Sequence, residues 1–408
     1  MEDPATIHLK NLVANSNDAL EFKLVRCAED LDNDETTFKP EMSHQVFGDS
    51  ESIFGYRDLR VKLYYSAGCL ETYLGMTYAE KVNKAVEKVE ADNVLPKVAE
   101  KLTSEVHNNL DTFIKSLKKD DTFKPHGELL HSFSVDDEDC TRKFEVYKAD
   151  MSSKGFREYH RRLQTFVLWY IDAANFIDVD DDRWHYFNMF EKYQATDGTN
   201  RYGTTGFATV YQYYAYPHHT RPRIAQVLIL PPFQNMGLGA QLLHAIYREY
   251  IGRNQVKDIT VEDPSVTFQR LRDYVDSVNC STLQSFSRDS LLRGFNKTMA
   301  TEAKEKFKIN KKQARRVYEI LKLRSTDLTN EKEYLEYRLD VKRRLNIPYR
   351  REQNDLKKLE SALKNIDKRA SMTLPPLEQR LQNLEKEYRL LEEEYKKVIK
   401  RLEDAEEL

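Results

Sequence analysis

The sequence predicts an α+β protein, with a mixed β-sheet and helices preceded by an N-terminal α/β domain and followed by a helical C-terminal region. Three observations carry that prediction. Residues 124–265 are dense in β-branched and aromatic runs bounded by Asp, Gly and Pro. Inside that stretch an apolar run enters a short glycine loop and then an amphipathic helix, which makes a strand–loop–helix unit. Beyond about residue 266 strand signals fade and apolar residues recur at helical spacing.

The 408 residues suffice for two or three domains with buried cores. Residues 1–123 mix a strand-like run, Leu59–Tyr65, with helix-like runs at Thr77–Lys88 and Leu95–Lys118. In residues 124–265, strands are expected at Thr165–Ile171, Trp184–Tyr193, Thr204–Pro217 and Ala225–Leu230. One helix, Gly239–Ile251, carries Leu242, Leu243, Ile246 and Tyr250 on one face. Residues 266–330 read as short amphipathic helices ending in a longer one, Lys311–Leu323. Residues 331–408 read as an extended helical tail. Its apolar positions Leu377, Leu381, Leu384, Tyr388, Leu391, Tyr395, Val398 and Leu402 follow in alternating steps of four and three. That spacing fits a coiled coil or a long partner-binding helix, and equally a charged helix packed on its own domain.

Composition narrows the class. The start of the chain lacks a basic segment followed by an apolar run, and no stretch approaches the roughly 18 apolar residues of a membrane span. Cys27, Cys69, Cys140 and Cys280 are far apart, without paired spacing or a neighbouring His cluster, so neither structural disulfides nor a metal site is expected. A reducing compartment, nucleus or cytoplasm, is the natural home. The net charge of −3 is uneven: residues 301–370 carry +9, the remaining tail −3, and residues 1–300 hold −9. An acidic body suits a basic partner.

The chemistry begins at Gln234-Asn235-Met236-Gly237-Leu238-Gly239, between Pro231-Pro232 and the helix. A pyrophosphate must be met by several main-chain N–H groups at close range. Gly237 and Gly239 let the backbone approach, and the helix start adds free N–H groups and the positive end of its dipole. No Lys-Ser/Thr pair follows and residue 242 is Leu, so neither nucleoside-triphosphate nor dinucleotide motifs fit. Taken alone the loop is a tight strand-to-helix turn. After an apolar strand and before an amphipathic helix, Q-x-x-G-x-G resembles motif A of the GCN5-related N-acetyltransferase superfamily. That resemblance implies a splayed sheet and acetyl-CoA. It also implies that Gln234 to Ala240 cradle the pyrophosphate while the main chain of Val227, Leu228 and Ile229 bonds the pantetheine.

Twenty-three residues after Gly239, Glu262 opens the sequence Glu-Asp-Pro-Ser at the end of the next apolar run. In strand–helix–strand units ligands sit at the strand C-termini. A lysine amine with an ordinary pKa near 10.4 is protonated at neutral pH and cannot attack a thioester, so a nearby carboxylate is needed to take the proton. The same residues also fit a strand terminator, with Asp263 capping the segment after it.

Several segments together resemble the catalytic subunit of type B histone acetyltransferase: residues 38–56, 176–187, 209–223, 227–243, 261–275 and 307–323. The resemblance implies acetylation of lysines in the N-terminal tail of newly made histone H4, paired with H3, and a WD40-repeat histone-binding partner. It implies Glu262 as general base, Asp263 as its neighbour, and Asp172, on a strand before residue 176, in place of a usual glutamate. Asn235 replaces a common glycine and requires a negative φ to be comfortable. Ser265 and Phe268 match positions near the pantetheine and acyl end. Asp49-Ser50-Glu51, Trp184 and Tyr211-Gln212-Tyr213 match substrate contacts, and acidic groups with aromatic walls do suit a basic tail. Against these stand plainer readings: Trp184 as core, the tyrosines as an exposed strand face, and Asp178 and Asp180–Asp182 as a solvated turn. The basic stretch around Arg343–Arg351 has interleaved acids, which favours a solvated helix or protein contact over nucleic acid. Competing functions are an acetyltransferase acting on another amine and a histone-binding escort.

Overall fold

The computed structural model describes residues 4–83, 89–102, 104–137, 140–362 and 376–406. The chain divides into two compact units, residues 1–255 and 256–408.

The first unit contains two main sheets. The N-terminal one joins β1 (Leu20–Val25), β2 (Arg60–Ser66), β3 (Thr72–Thr77) and β4 (Val106–His107) in that order. β1 and β2 run parallel and β2 and β3 antiparallel. The second is an antiparallel meander of β5 (Glu128–Asp137), β6 (Cys140–Ala149), β7 (Trp184–Gln194), β8 (Asn200–Ala215) and β9 (His219–Ile229). β7 and β8 turn at Asp197-Gly198, where Gly198 supplies a φ of +80° and Asp197 accepts from Thr199 N at 2.8 Å, as hairpin turns require. Burial alternates strictly over the second half of β9, from Pro222 to Ile229, as a strand with one face on the core requires.

The apolar runs at Trp184–Tyr193, Thr204–Pro217 and Ala225–Leu230 thus form strands as the sequence predicts, but Thr165–Ile171 does not. Helix α1 (Phe156–Leu163) continues through a 3-10 turn into a helical turn at Val167–Tyr170, and every residue from Leu163 to Tyr170 is buried. A short run buried all round has no polar face to betray its period, so strand and helix look alike in sequence. The helix expected at Thr77–Lys88 is likewise replaced by the end of β3 and a short strand at Glu80–Lys81, with residues 84–88 outside the described ones. Leu95–Lys118 splits into helices Val94–Lys101 and Leu110–Ser116 around β4, the second capped by Asn109, which accepts from Asp111 N and Thr112 N. Helix α2 (Leu238–Ile251) closes the unit, burying the Leu242, Leu243, Ile246 and Tyr250 face.

The second unit is helical: α3 (Val266–Ser281), α4 (Arg288–Arg293), α5 (Lys297–Phe307), α6 (Lys311–Ser325), α7 (Glu331–Leu345), α8 (Ile347–Ala362) and α9 (Leu377–Glu406). Ser265, Asn296, Asn310 and Asn330 cap α3, α5, α6 and α7 with side-chain oxygens. One core joins helices on both sides of residue 330, from Cys280 and Met299 through Val317, Ile320 and Tyr337 to Tyr388, Tyr395, Val398 and Leu402.

The coiled-coil reading of α9 is therefore corrected. Its heptad stripe is filled from within the unit, by α3, α6 and α7. Only Leu377 and Leu381 at its start stay exposed, at 70% and 56%. Tyr395 donates to Glu319, a fully buried carboxylate that also receives Arg315 and Arg344. No helix among the described residues is long and apolar enough to cross a membrane, and the four cysteines are free.

Candidate active site

β9 ends at Ile229, and Leu230 is buried with its N–H on Thr205 O at 2.9 Å. Pro231–Phe233 make one 3-10 turn that buries Phe233. Gln234 then folds back, its Nε2 donating to Ile229 O at 2.9 Å, so the side chain serves the backbone of the preceding strand. Asn235 follows at φ +64° and Gly237 at φ +77°. The negative φ required of Asn235 is thus not met. The residue lies in the left-handed region, where asparagine is among the most tolerated side chains after glycine.

Met236 thus lies between two left-handed residues, and alternation of hand is the backbone pattern of anion-binding nests. The main-chain N–H groups of Gln234 and Ala240 are occupied by Pro231 O and Gly237 O. Those of Asn235, Met236, Gly237, Leu238 and Gly239 make no main-chain hydrogen bond of good geometry among the described residues. A Cβ placed on Gly237 would meet nothing within 4 Å. Five unused donors around open space at a helix start fit a pyrophosphate. Upstream, Val227 and Ile229 are half-buried and Leu228 buried, paired with Ala208, Gly206 and Phe207. β8 comes so close there that a Cβ on Gly206 would lie 2.5 Å from Leu228 O.

The predicted acidic and aromatic residues of the first unit fall into two clusters. In one, His44 bridges Asp172 at 3.2 Å and Glu51 at 3.8 Å. Asp172 stands on an exposed turn after the Val167–Tyr170 helix, where the sequence predicts a strand. Glu51 accepts from Ser43 N at 2.6 Å, His44 N at 3.0 Å and Asn17 Nδ2 at 2.7 Å. The Ser43 amide is the main reason its carboxyl lies below the usual range. Asp49 and Ser50 are exposed on the turn leading into it.

In the other cluster, Trp184 stands edge-on to Tyr211 at 4.9 Å and Tyr211 edge-on to Tyr213 at 4.7 Å. Trp184 is half-buried, neither core nor free. Gln212 points the other way, its Nε2 donating to Tyr250 OH at 2.9 Å. Asp181 belongs to this cluster although a solvated turn is the plainer sequence reading. It accepts from Tyr211 OH at 3.0 Å and from Arg183 Nη2 at 2.7 Å, and the Arg183 guanidinium holds its carboxyl far below the ordinary range. Beside it opens a cavity of ≈ 330 Å³ between Asp150, Asp182, Trp184 and His185. His44 and Asp181 carry no sequence signal beyond lying in matched segments.

In the second unit Glu262 follows the short strand Thr260–Val261 and is half-buried, while Asp263 is exposed at φ +27°. The cap of α3 is Ser265, not Asp263: its Oγ accepts from Phe268 N at 3.1 Å. Ser265 and Phe268, the predicted acyl-end residues, are therefore a capping pair.

A long antiparallel meander running into a glycine loop and helix is the acetyltransferase fold of the α+β class that the sequence predicts. Two family models match: residues 12–172 the N-terminus of histone acetyl transferase HAT1, and residues 272–323 the C-terminal part of the histone acetyltransferase type B catalytic subunit. Histone acetyltransferase type B catalytic subunits of Rattus norvegicus and Homo sapiens are each 49% identical over 95% of this chain and 93% of theirs. One from Dictyostelium discoideum is 34% identical over 82% of this chain and 76% of its own. The chain belongs to the family of histone acetyltransferase type B catalytic subunits, and it is a histone acetyltransferase.

Proposed function

We propose that the enzyme moves the acetyl group of acetyl-CoA to lysine side chains in the N-terminal tail of newly made, non-nucleosomal histone H4, with Glu262 as general base. The observation that carries the cofactor reading is the set of five unused N–H donors from Asn235 to Gly239. Ser265 and Phe268 belong to its acyl end in this reading. In the reaction Glu262 takes a proton from the lysine ammonium. The amine then attacks the thioester carbonyl, a C–N bond forms, the C–S bond breaks, and the second proton lost by the nitrogen passes to the departing sulfur. The family resemblance assigns Asp263 and Asp172 as the further acids of the reaction.

The acceptor reading is supported by the family and by chemistry. Glu51, Asp49 and Asp172 offer charge to a basic tail, and Trp184, Tyr211 and Tyr213 offer ring faces and edges to its lysines. By the same resemblance the enzyme works with a WD40-repeat histone-binding subunit, in nucleus and cytoplasm.

Acetylation of free H4 with H3, assembled nucleosomes and polyamines, measured side by side, tests the acceptor. Free H4 is expected to be preferred at least tenfold, and equal rates on polyamines would refute the reading. Glu262→Gln is expected to lose about a hundredfold or more in kcat, within the range of general-base effects. A wild-type rate across pH 6–9 would remove Glu262 from the mechanism.

A further inference from the structure

A cation lies against the cofactor loop that its motif gives no hint of. Arg142 on β6 donates through Nε to Glu191 Oε1 at 2.8 Å and through Nη2 to Oε2 at 3.0 Å. Its remaining nitrogen, Nη1, meets Met236 Sδ at 3.5 Å, and its guanidinium carbon lies 5.3 Å from the Phe233 ring centre. Met236 is inside the loop and Phe233 immediately precedes it. Glu191, on β7 and 4% exposed, also receives Arg26, the residue after β1. Burial opposes ionisation of Glu191, but Arg142 and Arg26 outweigh it and hold its carboxyl below the usual range.

We propose that Arg142 is a positioning residue for the pyrophosphate loop: held by Glu191, it clamps Phe233 and Met236 and keeps the turns at Asn235 and Gly237 in place. Only the planar fork of arginine can chelate Glu191 and stack on Phe233 at once, so lysine is a poor replacement. The assignment rests on the reading of residues 234–240 as a pyrophosphate site. Its distinctive signature is a cofactor effect without an acceptor effect.

The test is steady-state kinetics of the full-length enzyme, varying acetyl-CoA and histone separately, with thermal midpoints for each variant. Arg142→Met is expected to raise KM for acetyl-CoA about tenfold, the equivalent of one good charged contact, while kcat and the histone KM stay within about twofold. Arg142→Lys is expected to recover part of that loss, and Arg26→Met, which leaves the Arg142–Glu191 pair intact, to change KM by less than about twofold. An unchanged acetyl-CoA KM in Arg142→Met overturns the proposal. So does a fall in kcat and thermal midpoint with both KM values affected alike, which marks a purely structural role. Gly237→Val separates the two readings. If it too leaves acetyl-CoA KM unchanged, the loop assignment fails; if it raises KM while Arg142→Met does not, only the Arg142 assignment fails.

Discussion

Gln234 donates its side-chain Nε2 to the main-chain oxygen of Ile229, 2.9 Å away and five residues back. The bond closes a ring across Pro231–Phe233 and fixes where the loop leaves the strand. The side chain thus braces the loop.

Gln234→Ala is accordingly expected to raise KM for acetyl-CoA about three- to tenfold, the equivalent of one hydrogen bond worth about 1 kcal/mol, with kcat nearly unchanged. Initial-rate measurements with acetyl-CoA varied check this. A fall in kcat with constant KM would place Gln234 at the reacting atoms instead.

Asn235 tests the backbone of the same loop. At φ +64° a side chain that cannot bond locally is strained. Asn235→Gly is expected to preserve acetyl-CoA affinity and stability within about 0.5 kcal/mol. Asn235→Val is expected to cost about 1–2 kcal/mol or to push the loop out of its donor-presenting shape. Calorimetric titration of CoA together with thermal melts distinguishes the two outcomes.

The loop was legible in sequence because glycine spacing and the flanking strand and helix are local signals, and β7 to β9 because long runs of β-branched and aromatic residues are bounded by Asp, Gly and Pro. Val167–Tyr170 was not, since a run buried on every side carries no period. The sign of φ at Asn235 could not be read either, because asparagine is common in both regions. Asp181 and Arg142 owe their places to Tyr211 and Glu191, tens of residues away, and no local pattern announces such pairs.

The stripe on α9 was legible as a stripe, but its occupant was not. Tyr395 and Glu319 show why it is internal: the tyrosine hydroxyl reaches a carboxylate with no exposure, which also serves Arg315 and Arg344. Tyr395→Phe is expected to cost about 1.5–3 kcal/mol in urea unfolding, as for a hydrogen bond to a charged group. Glu319→Ala is expected to cost more, about 3 kcal/mol, because it removes the buried carboxylate that Tyr395 and the half-buried Arg315 and Arg344 share. Leu384→Asp should lower the midpoint of unfolding without changing the sedimentation coefficient. Conversion of a dimer to a monomer would restore the coiled-coil reading.

His160 on α1 makes a prediction about acid. Its ring is fully buried, edge-on to Tyr186 at 4.7 Å, and neither ring nitrogen has a hydrogen-bond partner among the described residues. Burial lowers its pKa to about 3, against an ordinary value of 6.5. The folded state therefore holds the imidazole neutral while the unfolded chain takes up a proton below pH 6.5. The stability this group leaves intact is fully present above pH 6.5 and is lost as pH falls toward 3, by about 1.4 kcal/mol per pH unit. His160→Phe keeps a flat ring against Phe156 and Tyr186 and removes both the proton site and two unsatisfied nitrogens. Urea unfolding at pH 7.5, 6, 5 and 4.5 should show the variant at least as stable as the parent at the highest pH. Its advantage should widen by about one proton's worth per pH unit below 6. Parallel curves over that range would mean that the buried imidazole finds a proton acceptor when it ionises, and that its burial is not the source of acid sensitivity.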